Sequence, residues 1–140
     1  MEKEFFCDVV NRVNSVYEEY ARSKGLSYTS LYVLHMIVLK EKCTQKYMAE
    51  QMYLPKQTIH SIVSVFVRQG LVKFVEIEED RRQKGLCLTQ KGREFSAQIL
   101  PPIEAAERHG LEALTSEEQA LLFQFIRKYT AAFGQALLRK

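Results

Sequence analysis

Apolar residues recur every three or four positions between Lys3 and Ser23, at Phe6, Val9, Val10, Val13, Val16, Tyr17 and Tyr20. That spacing predicts a helix with one apolar stripe. Gly25 is placed to end it, and Ser27 to cap the next helix. From Leu31 to Leu39 almost every position except His35 is apolar, which predicts a helix buried on most sides. Lys40-Glu41-Lys42 breaks the pattern and leads to Thr44, another capping residue. Thr44 to Met52 reads as a short helix with Tyr47, Met48, Gln51 and Met52 on one side. Tyr53-Leu54 makes a turn. Pro55 starts a longer helix, where its missing N–H costs least, and Gly70 stops that helix.

The pattern then changes. Leu71 to Ile77 is strand-like, with Phe74 and Val75 as β-formers. The polar run EEDRRQKG makes a hairpin tip closed by Gly85, and Leu86-Cys87-Leu88 is the return strand. Thr89 caps a further helix, which Pro101-Pro102 is expected to kink or split. Thr115 and Glu118 form a capping box. The last helix places Leu122, Phe125, Ile126, Tyr129, Phe133 and Leu137 on one stripe. Two close helices followed at once by a strand, a charged tip and a strand are the order of a winged helix-turn-helix. The expected fold is mainly α with a small β-wing.

Composition narrows the choice of function. At 140 residues, with 46% hydrophobic and 26% charged residues, the chain suits one soluble globular domain. No apolar run is long enough to cross a bilayer. The start, MEKEFF, has no apolar signal core, so a cytoplasmic protein is expected. Cys7, Cys43 and Cys87 are widely spaced and odd in number, which indicates neither a disulfide framework nor a zinc site. His35, His60 and His109 are scattered, without a nucleophile, a carboxylate pair or a phosphate-binding glycine loop. Neither an enzyme nor a metal or cofactor protein is expected.

The net charge of +3 is small but unevenly placed. Residues 44–93 carry 9 basic and 5 acidic groups, whereas the flanking segments are close to neutral. A local basic patch suits a polyanionic partner. Within it, at about 100° per residue, Ile59, Ile62, Val63 and Phe66 fall on one arc of the Lys56–Gln69 helix. Lys56, Gln57, His60, Ser61, Ser64 and Arg68 fall on another. No Asp or Glu occurs from Leu54 through Phe74. A helix that reads base edges needs such a face: amides and hydroxyls, with no acid to repel phosphates. Arg81, Arg82 and Lys84 sit at the tip, where arginine gains from a narrow minor groove. Thr44, Gln45 and Thr58 complete the candidate DNA-contacting set. A winged helix that docks a protein is the competing class, but it would tolerate acids on that face.

The segments TQKYMAEQMYL, Gly70-Leu71-Val72, Asp80-Arg81-Arg82 and Leu88-Thr89-Gln90-Lys91-Gly92, in this order, resemble the MarR family of transcriptional regulators. The resemblance runs over nearly the whole chain. It implies a DNA-binding lobe over residues 27–93, with residues 1–26 and 94–140 forming a helical dimerisation region. It implies a homodimer on double-stranded DNA, at a pseudo-palindromic operator, acting as a repressor. It also implies that Asp80 orients Arg82 in the wing.

The chain departs from the family pattern at Pro55, where a side-chain cap is usual, and at Tyr53, where glycine is usual. If the turn demands positive φ, Tyr53 is strained. His60 and Ser61 also differ from the family, so a different operator preference is expected. Family members often release DNA when a small aromatic or phenolic molecule binds. Tyr28, Tyr32, His35 and Met36 are the candidates for that site. One branch senses hydroperoxides through a cysteine in its first helix, which makes Cys7 a candidate redox residue, although the flanking Phe5-Phe6 argues for its burial. Cys43 and Cys87 read as structural.

Overall fold

The computed structural model describes residues 5–138. Six helices and three short strands follow in order: α1 Phe6–Ser23, α2 Tyr28–Leu39, β1 Cys43–Thr44, α3 Gln45–Met52, α4 Lys56–Arg68, β2 Val72–Glu76, β3 Lys84–Leu88, α5 Gln90–Glu112 and α6 Ser116–Leu137. The strands form one antiparallel sheet in the order β1-β3-β2. This is the winged helix-turn-helix read from the sequence, with one strand added. β1 is only two residues long, too short to leave a period in the sequence. It forms because Cys43 and Thr44 lie opposite Leu86 and Gly85 of the wing.

The chain divides into two compact units, residues 1–100 and 101–140, at the Leu100-Pro101 junction. The first contains the core. Ile59, Val63 and Phe66 of α4 are buried together with Val33, Leu34 and Ile37 of α2, Met48 of α3, and Leu71, Val72 and Leu86. Ile62 is partly buried against that cluster. The α4 arc predicted to anchor the helix is therefore the one that does. Two predicted faces need correcting. Gln51 is exposed, and Ala49 takes its place on the inner side of α3. α2 is not buried to its end: Val38 and Leu39 are 42% and 66% exposed.

The joint between the helix pair and α5 is made by the Leu88–Gly92 segment. The Thr89 amide donates to the Leu71 carbonyl at 3.0 Å, and the Thr89 hydroxyl donates to the Gly70 carbonyl. The same hydroxyl accepts from the Gly92 amide at 3.0 Å, capping α5. Lys91 Nζ reaches the Gln69 carbonyl at 2.8 Å. A Cβ on Gly92 would overlap the Leu71 carbonyl, so this close approach admits only glycine. These bonds satisfy carbonyls at the end of α4, which the helix itself cannot satisfy.

Pro101-Pro102 does not split α5, which runs unbroken from Gln90 to Glu112. Each proline withholds one N–H from the ladder, and both prolines are exposed. In the second unit, Thr115 and Glu118 make the predicted reciprocal capping box. Gln119 Nε2 donates to the carbonyls of Leu111 and Leu114, at 2.8 and 3.2 Å. No residue of α6 is buried, and Phe125, Ile126, Tyr129 and Phe133 are exposed.

Candidate nucleic-acid interface

The turn between α3 and α4 determines how α4 is presented. Thr44 caps α3 by accepting from the Tyr47 amide at 3.0 Å. Tyr53 ends that helix in the left-handed region, at φ 54 and ψ 42, with its side chain 94% exposed. The positive φ that the sequence raised as a condition is therefore met by a residue with a Cβ, at a cost of about 1–2 kcal/mol. Pro55 precedes α4 as its N-cap, one residue earlier than the sequence reading placed it. It offers no side-chain cap, and its carbonyl accepts from the amides of Thr58 and Ile59 at 3.1 and 3.3 Å.

Along α4, Lys56, Gln57, Thr58, His60, Ser61 and Arg68 are exposed, and Ser64 is half-buried. The two serine hydroxyls turn back onto their own helix. Ser61 donates to the Gln57 carbonyl at 2.9 Å and Ser64 to the His60 carbonyl at 2.8 Å. What they still offer outward is lone pairs. His60 Nδ1 lies 3.2 Å from Gln45 Oε1, a bond that crosses from α3 to α4 and holds the imidazole.

A cleft of about 420 Å³ opens beside this helix, lined by Thr44, Gln45, Lys46, Lys56, Phe74, Gln83 and Lys84. It joins the starts of α3 and α4 to the wing. Four of its residues stand in the candidate set read from sequence. Lys46, Phe74 and Gln83 do not. Lys46 was visible as a charge next to Gln45. Phe74, 42% exposed, and Gln83 reach the site only through strand pairing and the tip turn.

Arg81 and Arg82 are exposed at the tip. Two successive turns shape it: the Asp80 amide donates to the Ile77 carbonyl and the Gln83 amide to the Asp80 carbonyl, each at 3.2 Å. Asp80 Oδ1 accepts the main-chain N–H of Arg82 at 3.0 Å. The aspartate thus engages Arg82 through its backbone, in an Asx-type turn. Among the described residues no ion pair joins the two side chains.

The residues considered for switching lie elsewhere. Tyr28 stacks between Tyr17 and Tyr32, with ring centroids 5.2 and 6.4 Å away, and joins α1 to α2. His35 is half-buried and Met36 buried. Cys7 is exposed on α1, contrary to the burial that Phe5-Phe6 suggested, with Sγ 4.0 Å from Asp8 Oδ1. Phe5 and Phe6 are themselves 59% and 37% exposed. Cys43 is fully buried, and burial pushes its thiol pKa up against the smaller opposing pull of Lys40.

Fold and site together define a winged helix-turn-helix protein whose α4 presents a basic, acid-free outer face. The sequence pattern of the MarR family matches residues 24–83. The chain is 28% identical over 79 residues to the HTH-type transcriptional regulator SarZ of Staphylococcus epidermidis, a match covering 56% of this chain and 53% of SarZ. The match thus spans about half the length of that relative. Its fold is similar to a MarR family regulator from Neisseria meningitidis, with a TM-score of 0.80 at 23% identity, covering 93% of this chain and 92% of the other. It is similar also to Staphylococcus aureus MepR in a DNA complex, with a TM-score of 0.78 at 14% identity, covering 91% and 93%. The likeness to the MarR family thus lies in residues 24–83 for the sequence and in the fold for most of the chain.

Proposed function

We propose that the chain is a dimeric, sequence-specific DNA-binding regulator of transcription, acting as a repressor that a small aromatic molecule releases. The observation that carries this reading is the outer face of α4: a lysine, an arginine, amide, imidazole and hydroxyl groups, and no carboxylate. The cleft beside it adds Lys46 and Lys84, so phosphates on either side of a groove would meet cations. The start of α4, which has no side-chain cap, suits a phosphate as well. MepR, which shares the fold, has been solved with DNA. The exposed apolar faces of α1 and α6 support a homodimer, since monomers rarely leave such faces in water. The aromatic cluster around Tyr28 supports an effector site there.

The test is binding to promoter DNA from the chain's own gene region over a range of salt. Affinity should fall with a slope of about 0.9 per phosphate neutralised. Arg82→Ala should lower that slope by about one and leave the fold intact. Equal affinity for random DNA would overturn the reading.

A second reading, redox release through Cys7, is favoured by the exposure of that thiol. Peroxide should then weaken DNA binding by the wild-type chain and leave Cys7→Ser unaffected. Equal loss in both would dismiss the thiol.

A further inference from the structure

A second cavity, of about 610 Å³, lies at the base of the wing, within the size range of small-molecule sites. Its walls are the end of α2 with Glu41 and Lys42, the strands β2 and β3, and the first turns of α5. Lys73 and Cys87 are cross-strand partners, so both side chains leave the sheet on the same face. Val75, two residues from Lys73, shares that face and forms an apolar floor with Val38 and the buried Ile37. Ser96, only 6% exposed, adds a hydroxyl that donates to the Arg93 carbonyl at 3.2 Å and keeps lone pairs to accept with.

The rim is positive: Lys42, Lys73 and Arg93 stand against one carboxylate, Glu41. One of the three cations is held in place by its side chain. Arg93 is fixed by the Leu88 carbonyl at 3.2 Å and by Gln90 Oε1 at 2.7 Å. Lys42 is held at φ 51 with its backbone against Gly85, where a Cβ would come within 2.9 Å. A guanidinium fixed in this way, beside a lysine whose backbone is fixed, loses little further freedom when an anion arrives. A neutral hydrocarbon would leave those charges without a counter-ion, and a polyanion would leave the apolar floor unused.

We propose that this cavity binds a small amphipathic monocarboxylate. Its apolar body lies on Ile37, Val38 and Val75, and its carboxylate pairs with Lys73 and Lys42. The proposal stands on the cavity and does not depend on DNA binding. Tyr28, Tyr32, His35 and Met36 are not among the lining residues.

The full-length chain can be tested with 2-naphthoate as the anionic probe and 2-naphthol as its neutral counterpart. Iodoacetamide labelling of Cys87, read by peptide mass spectrometry so that Cys7 is counted separately, reports occupancy. At ten times its Kd, naphthoate should slow Cys87 labelling about tenfold, the factor that mass action gives. Naphthol at the same concentration should not. Lys73→Glu should abolish the protection with an unchanged melting curve, and Lys73→Arg should retain it. Fluorescence titration of naphthoate against wild type and Lys73→Glu reads the same equilibrium without the thiol. Equal binding of naphthoate and naphthol, no binding of either, or undiminished binding to Lys73→Glu would overturn the proposal.

Discussion

The helix α4 and the helix α6 carry similar apolar stripes and meet opposite fates. Ile59, Val63 and Phe66 of α4 are buried, while Phe125, Ile126, Tyr129 and Phe133 of α6 are 41% to 56% exposed. Both stripes have helical period, and both helices carry polar residues opposite. Period says which side of a helix wants to leave water; it does not say what will cover that side. α4 finds its cover within residues 1–100, in α2, α3 and the wing. α6 has none of its residues buried, and in the proposed dimer a second copy covers its stripe.

The largest expected effect follows from that contrast. Ile126→Glu combined with Phe133→Glu should abolish the proposed dimer, costing more than about 4 kcal/mol of association free energy at a buried centre. Light scattering on the eluting protein would show it. A double variant that stays dimeric would separate α6 from the interface. Phe66→Ala comes next. It should cost about 3–5 kcal/mol, because the cavity is left in the lobe's own core. Urea denaturation measures this, and a loss below about 1 kcal/mol would mean that the core collapses freely onto the gap.

Gly92→Ala should cost about 1–3 kcal/mol by forcing α5 away from the Leu71 carbonyl. Unfolding measurements check that, and a neutral result would show that the joint is slack. The smallest effect has the opposite sign. Tyr53→Gly should stabilise by about 0.5 kcal/mol, since the relief of positive φ slightly outweighs the entropy of glycine. At 94% exposure little packing is lost with the ring. A destabilised Tyr53→Gly would mean that the ring has a partner worth more than the strain.

Much of the candidate DNA-facing surface was legible because it is local. The arc from Lys56 to Arg68, the stop at Gly70, the wing tip and the Thr115 capping box each depend on neighbours a few residues away. The Leu88–Gly92 segment was legible as a motif but not as a mechanism. Only the structure shows Thr89 and Lys91 closing the end of α4 and Gly92 making room for Leu71. Phe74 and Gln83 escaped notice in the cleft for the same reason. The cleft sets both beside Lys56, a residue far from either in the chain.

By itself, then, the sequence determined where helices start and stop, which side of each is apolar, and that residues 44–93 hold the excess of positive charge. Those are set by backbone preference and by period, which act over a few residues. Tertiary structure decided the rest. It paired Cys43 and Thr44 with the wing, held Tyr53 at positive φ, and buried the α4 stripe while every described residue of α6 stays outside the core. Each of those outcomes depends on what a segment meets in space, and two identical stripes can meet a core or meet water.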